Sequence, residues 1–346
     1  MIYVGGVPFS SSPSSASPRQ EYEILVALLE HPMMLSASNS FKELPELKIS
    51  DAQGNSCCKL KHVYVFQREY ATVYPEHVDF IGTDEATTCV GLVIRNQKDG
   101  ITSVAHLDSP SVVSLGLNSM LSSLNTSIDT ELDVHLIGGY EDSPSQDMGH
   151  SGGKSEDRRK KVGHSWDLCG EIIKALQNDA TPFHIKTLCI LSHNTWRDNC
   201  GTSRPIANGF LVETSTGFIK PASFDRSSRI PDEIVRRLRV SFSFDDPAWN
   251  GKLLETYDAR EDKFSIASCC WDVNLKYHAR KVLLLSDLEV LRFCSTSPDA
   301  ENPEFVENTR RVCRYLVKNP DWRKIFPLGK PHVFKRTNTG EWARCE

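Results

Sequence analysis

Two β-rich runs, Val90–Arg95 (VGLVIR) and Ile101–His106 (ITSVAH), flank five residues of turn chemistry, Asn96–Gly100 (NQKDG). So short a connection makes them an antiparallel hairpin, because a parallel crossover needs a dozen residues or more. The loop length fixes what lies opposite what. With a four-residue loop, Asn96–Asp99, Cys89 falls directly opposite His106, with Cβ atoms roughly 4.5–5.5 Å apart. A five-residue loop, Asn96–Gly100, shifts the register by one and weakens that pairing.

The segment leading into the hairpin is Gly82-Thr83-Asp84-Glu85-Ala86-Thr87-Thr88-Cys89. Small and polar residues crowd up to a cysteine, and a strand starts directly after it. A residue at such a junction is fixed by the strand and left accessible by the loop, a common setting for catalytic groups. A cysteine facing a histidine is a nucleophile candidate. The imidazolium stabilises the thiolate, which is the reactive species, and can later protonate a departing amine or ammonia. Backbone N–H groups of Cys89 and its neighbours are candidate oxyanion donors. The bland reading is a buried cysteine beside a strand-end histidine that caps a carbonyl. Asp108 either orients the imidazole or forms the turn before Ser109-Pro110.

The rest of the chain mixes elements. Helical spacing runs over Glu21–Leu29 and ends at His31-Pro32. Lys61–Phe66 (KHVYVF) alternates as a strand. Val113–Leu124 is a helix, and Leu132–Ile137 is a strand that stops at Gly138-Gly139. A helix over Trp166–Leu176 precedes strands at Ile185–Leu191 and Phe210–Thr214, with Gly217–Pro221 pairing back. Pro231–Val240 and Pro303–Lys318 are helices. No regular βαβ period appears, so the fold class is α+β and not a doubly wound sheet. The 346 residues read as a single domain, with a flexible Ser/Pro segment at 10–18 and a surface insertion at 141–163. The basic run Arg158-Arg159-Lys160-Lys161 in that insertion is a docking signal or, the blander reading, part of a solvated loop.

Composition removes several classes. With 39% apolar residues and a net charge of −5, the chain can bury a core, and it lacks the strongly basic face of a nucleic-acid binder. No apolar run approaches the roughly 18 residues that span a bilayer, and the N-terminus is a poor secretory signal. The 11 cysteines are odd in number and show no C-x-x-C, so neither a disulfide framework nor a zinc site is expected, and no cofactor. A reducing, cytoplasmic or nuclear location is expected.

The run Gly82–Cys89 closely resembles the active-site segment of the protein N-terminal asparagine amidohydrolases. Phe66-Gln67-Arg68-Glu69, Val134–Gly139, Thr187-Leu188-Cys189, Tyr257-Asp258-Ala259, Ser295-Thr296-Ser297-Pro298 and Gly340-Glu341-Trp342 are similar to that family too. The resemblance covers most of the chain. It implies hydrolysis of the side-chain amide of an N-terminal Asn to Asp and ammonia, with Cys89 as nucleophile and a thioester intermediate. It also implies protein or peptide N-termini as partners, a link to an arginyl-transferase, and a place in the N-degron pathway. The site segment is also similar to chemotaxis-receptor deamidases and to the catalytic domain of cytotoxic-necrotizing-factor toxins. That implies a β-sandwich flanked by helices, with Thr83 as third member beside Cys89 and His106. Three departures from the mammalian members, the 141–163 insertion, a longer stretch before Phe66, and Met1-Ile2 at the start, suggest a plant-like branch.

An enzyme that selects an N-terminal Asn must bind its α-ammonium, which calls for a carboxylate. Asp84, Glu85 and Glu69 are the candidates, with Thr88 as a further substrate contact. Tyr257-Asp258, His278 and the Ser295–Pro298 turn either line the pocket or serve local structure, and His135 reads as a satisfied core histidine. Two other functions stay open: a non-catalytic module that binds N-termini, and a deamidase of internal Gln or Asn.

Overall fold

The computed structural model describes residues 1–10, 22–50, 61–124, 130–142, 163–243, 249 and 251–345. The Ser/Pro segment after Ser10, the bulk of the 141–163 insertion and its basic run lie outside the described residues.

The α+β expectation holds: mixed sheets are flanked by helices. The hairpin Val90–Asn96 and Thr102–Leu107 sits in the middle of an eleven-stranded sheet, between Glu69–Val73 on one side and Leu132–Tyr140 on the other. A second sheet of five strands contains His62–Tyr64, Phe80–Thr83, Phe210–Glu213, Ile219–Phe224 and Leu47–Ile49. Alternation along the hairpin sorts its side chains between two cores, because successive strand residues face opposite ways. Leu92, Ile94, Ala105 and Leu107 pack against helices, including Leu117 and Met120 of Val113–Ser123 and Leu168 and Ile172 of His164–Asn178. Val93 and Val104 face the other way and meet Ile81, Phe210 and Val212 of the smaller sheet. Each fully buried side chain of this size contributes about 1.5–3 kcal/mol, which holds the two sheets in fixed relation. A third core, with Val235, Leu238, Cys313 and Leu316, joins the helices Glu233–Ser243 and Phe305–Lys318.

The hairpin register differs from the expectation by two residues. The loop is Gln97–Gly100, with Gly100 at φ +74°, and the Asn96 N–H donates to the Ile101 carbonyl at 2.9 Å. Gly91, not Cys89, lies opposite His106. A shift of two preserves the face, so Cys89 becomes a diagonal neighbour of His106 on the side facing the smaller sheet, still within reach of longer side chains. Three further elements differ. The first helix ends at Leu29, before His31-Pro32 as expected, but Pro32 also opens a second helix, Pro32–Glu43, because proline suits the first helical position, where its missing N–H has no intrahelical partner. The helix near Pro231 begins only at Glu233. The strand from Leu132 runs through Gly138 and Gly139 to Tyr140. The neighbours of Gly138 explain why. Its φ is +113°, and a Cβ there would lie 2.6 Å from the Cys89 carbonyl oxygen. Glycine lets this strand pass directly behind the cysteine, and the Gly139 N–H donates to the Cys89 carbonyl at 2.7 Å.

Candidate active site

Cys89 is a half-buried free thiol at the entry to the hairpin. It lies on the wall of a cavity of about 590 Å3 that also exposes His106, Asp108, Glu85 and Thr88. The far wall comes from Arg237 and Val240 of helix Glu233–Ser243, from the Ser295–Ser297 turn with Glu301 and Asn302, and from Phe305 and Asn308 of the late helix. The cavity therefore joins the hairpin to the helical core.

His106 and Thr83 meet from two sheets. The imidazole Nδ1 lies 2.8 Å from the Thr83 hydroxyl oxygen, and that hydroxyl points at the Asp84 carbonyl, 3.5 Å away. The Thr83 hydroxyl can accept from Nδ1–H while it donates to that carbonyl, the arrangement that leaves the lone pair on Nε2. Among the described residues Nε2 has no hydrogen-bond partner although it is buried. Burial pushes the His106 imidazole down to about 4, against the pull of Asp108, Glu85 and Glu69. Burial also pushes the Cys89 thiol well above its ordinary range, and the charges of Asp108 and Glu301 push it the same way. Both shifts favour the neutral thiol and the neutral imidazole.

Asp108 does not orient the imidazole. It accepts from Gln67 Nε2 at 3.2 Å and from Arg68 Nε at 3.3 Å. Thr83 fills the orienting position instead.

The three carboxylates expected to hold an α-ammonium divide. Asp84 touches the cavity but is occupied: it accepts from the Tyr64 hydroxyl at 2.6 Å, from the Phe224 N–H at 2.7 Å and from Arg229 at 3.0 Å. Glu85, in the left-handed backbone region at φ +62°, takes Arg237 in a two-pronged pair at 2.8 and 3.0 Å and Arg229 at 2.9 Å. Burial opposes its ionisation, yet Arg237 and Arg229 hold its carboxyl down to about 2. Glu69 does not reach the cavity. It is fully buried between Arg236, at 2.6 Å, and Arg239, and it also accepts from the Phe66 N–H at 3.1 Å. Thr88 stays on the cavity wall.

The residue that the sequence reading passed over is Glu301. It lines the cavity and accepts a hydrogen bond from the Ser295 hydroxyl. Among the described residues no lysine or arginine pairs with it, and burial, then the nearby charge of Glu85, raise its carboxyl above the usual range. Its position three residues after the marked Ser295–Pro298 turn was the available signal. The Ser295–Ser297 turn lines the cavity, whereas Tyr257 and Asp258 line a separate polar cleft and His278 lines neither. His135 is satisfied by Thr187 at 3.0 Å, as a core histidine should be.

Known proteins resemble the chain over most or all of its length. The sequence profile of the family described as protein N-terminal asparagine amidohydrolase matches residues 52–344. A protein of that name from Arabidopsis thaliana is 52% identical over the full length of both chains. Those from Sus scrofa and Homo sapiens are 30% and 29% identical, covering 81% and 82% of this chain and 82% and 83% of theirs.

Proposed function

The chain belongs to the protein N-terminal asparagine amidohydrolase family and is a hydrolase acting on amide bonds; from that premise we propose that Cys89 attacks the side-chain amide of an N-terminal Asn. His106 Nε2 takes the thiol proton, and the thiolate adds to the amide carbon. The developing oxyanion is met by backbone N–H groups at the start of the hairpin, that of Cys89 among them. His106 returns the proton to the amide nitrogen, and ammonia leaves. Water then hydrolyses the thioester, with His106 as general base, to give N-terminal Asp and free Cys89. Thr83 keeps the imidazole in the tautomer that presents Nε2 to the thiol.

The observation that carries this reading is the unpartnered Nε2 of His106 on the wall it shares with Cys89, with Nδ1 fixed by Thr83. The α-ammonium is held by Glu301, the cavity carboxylate without a cation of its own among the described residues. Glu85 shapes the site through its arginines, Thr88 contacts the substrate, and Asp84 forms the floor. Product N-terminal Asp is a substrate for arginyl transfer, which places the enzyme upstream of that step in N-degron degradation, in the cytoplasm or nucleus.

Ammonia release from short Asn-peptides tests the assignment. Peptides with N-terminal Asn should be converted, and those with the same Asn in an internal position should not. Conversion of internal Asn or Gln would move the assignment to an internal deamidase. Binding of Asn-peptides without ammonia release would leave a module that only recognises N-termini.

A further inference from the structure

The cavity holds a nucleophile whose surroundings disfavour its reactive form. The groups that face Cys89 come from four elements. Thr88 precedes it and hydrogen-bonds the sulfur. His106 and Asp108 come from the return strand and the residues after it, and Glu301 comes from the far wall. Asp108 is compensated by Arg68. Glu85 is compensated by Arg237 and Arg229, and Asp84 by Arg229. His164 lines the same cavity. Glu301 alone among these carboxylates has no cation against it among the described residues.

The asymmetry of Glu301 matters. It shares the cavity with Cys89 and His106, no lysine or arginine pairs with it among the described residues, and its charge raises the Cys89 thiol. An ionised Glu301 therefore opposes the thiolate across the cavity they share. A cation arriving at Glu301 removes that opposition and adds an attraction for the sulfur anion across a poorly hydrated gap.

We propose that the substrate's own α-ammonium is the switch for the nucleophile: docking on Glu301, it completes the charge balance of the cavity and drives the proton from Cys89 Sγ to His106 Nε2. The step is an internal proton transfer that turns a neutral pair into a thiolate and an imidazolium, with no other reactant. It rests on the reading of Glu301 as the ammonium anchor. Selectivity for an N-terminus then has a second origin beside binding, because an internal or acetylated Asn brings no charge and meets a protonated thiol.

Two measurements test this. In Glu301→Gln, resting Cys89 should become more reactive towards iodoacetamide at neutral pH, by about tenfold if the thiol falls by one unit. Its kcat/KM for Asn-peptides should fall by a similar factor or more. A merely loosened fold would also bare the thiol and lower activity, so the thermal unfolding midpoint should stay at the wild-type value and the gain in alkylation should be confined to pH below the thiol's titration. The second measurement needs no variant at Glu301. The ultraviolet absorbance of the thiolate in the wild-type enzyme, with Cys89→Ala as blank, should rise on adding alanyl-leucinamide and stay constant with acetyl-alanyl-leucinamide. An unchanged alkylation rate in Glu301→Gln with a lowered kcat/KM would leave Glu301 as an anchor and overturn the switch. Equal absorbance with both dipeptides would also overturn it.

Discussion

The imidazole of His106 and the hydroxyl of Thr83 meet at 2.8 Å from two different sheets. His106 belongs to the central hairpin and Thr83 to the last position of strand Phe80–Thr83 in the smaller sheet, where the chain runs into the Cys89 loop. The packing of Val93 and Val104 against Ile81 and Phe210 sets the distance between those sheets, so the core that stabilises the fold also sets the geometry of the dyad. Removing the Thr83 hydroxyl while keeping its shape should leave the fold intact and free the imidazole to change tautomer. Thr83→Val should lower kcat by on the order of 10–100-fold with little change in KM, and Thr83→Ser should restore most of it. His106→Ala should cost more, on the order of 100–10,000-fold. Equal kcat for Thr83→Val and wild type would remove Thr83 from the mechanism.

Cys89→Ala should abolish ammonia release and keep the thermal unfolding midpoint close to wild type, because the residue is half-buried and its carbonyl, not its side chain, pairs with Gly139. A variant that retained near wild-type turnover would exclude the thioester route.

The buried cluster of Glu69 with Arg236 and Arg239 separates a structural carboxylate from a substrate anchor. Replacing one member of a fully buried ion pair strands the others, at a cost of about 3–5 kcal/mol. Glu69→Gln should therefore lower the unfolding midpoint sharply. Any enzyme that remains folded should keep its KM for Asn-peptides. A raised KM with normal stability would return Glu69 to the role of ammonium anchor.

These outcomes separate what the sequence could tell from what it could not. The hairpin, the junction at Cys89 and the fold class were legible because β-rich runs, turn residues and short spacing act locally. The register was not, since Asn96 and Gly100 both suit a turn. Only the positive φ of Gly100 makes it the last loop residue and returns Asn96 to the strand. The arginine partners of the carboxylates were hidden for a different reason. Glu69 meets Arg236 across 167 positions, and nothing in a local run of residues announces that pairing. Glu301 stands out only once the other cavity carboxylates are seen to have arginine partners.

Charge also shapes the pH response. His106 is held down to about 4 from an ordinary 6.5. Between those values the folded chain keeps the ring neutral while the unfolded chain takes up a proton, so His106 contributes a loss of stability as pH falls from 6.5 towards 4. Catalysis follows the same group. The acid limb of kcat/KM should lie below 6.5, because the base stays unprotonated there. The alkaline limb should fall near 7.7–8.0, where a peptide α-amine loses its proton and with it the charge that Glu301 binds. A rate profile measured from pH 4 to 10 checks both limbs. An acid limb at 6.5 would mean that His106 titrates as an ordinary exposed histidine.

Side-chain length gives the last test. The Asn amide carbon must reach Cys89 Sγ while the α-ammonium stays on Glu301, so two points fix the substrate at once. N-terminal Gln adds one methylene between them and moves its amide carbon by more than about an ångström, well outside near-attack geometry. The Asn-peptide should therefore be hydrolysed at least on the order of 100-fold faster than the Gln-peptide, since a misplacement of that size costs about that factor. The acetylated Asn-peptide fails for the other reason, because it reaches the thiol but carries no charge for Glu301. Glu301→Gln should narrow the gap between free and acetylated Asn-peptides, and it should leave the gap between Asn and Gln largely in place. If Glu301→Gln erased the Asn–Gln gap and preserved the free–acetylated one, the two fixed points would have been assigned the wrong way round.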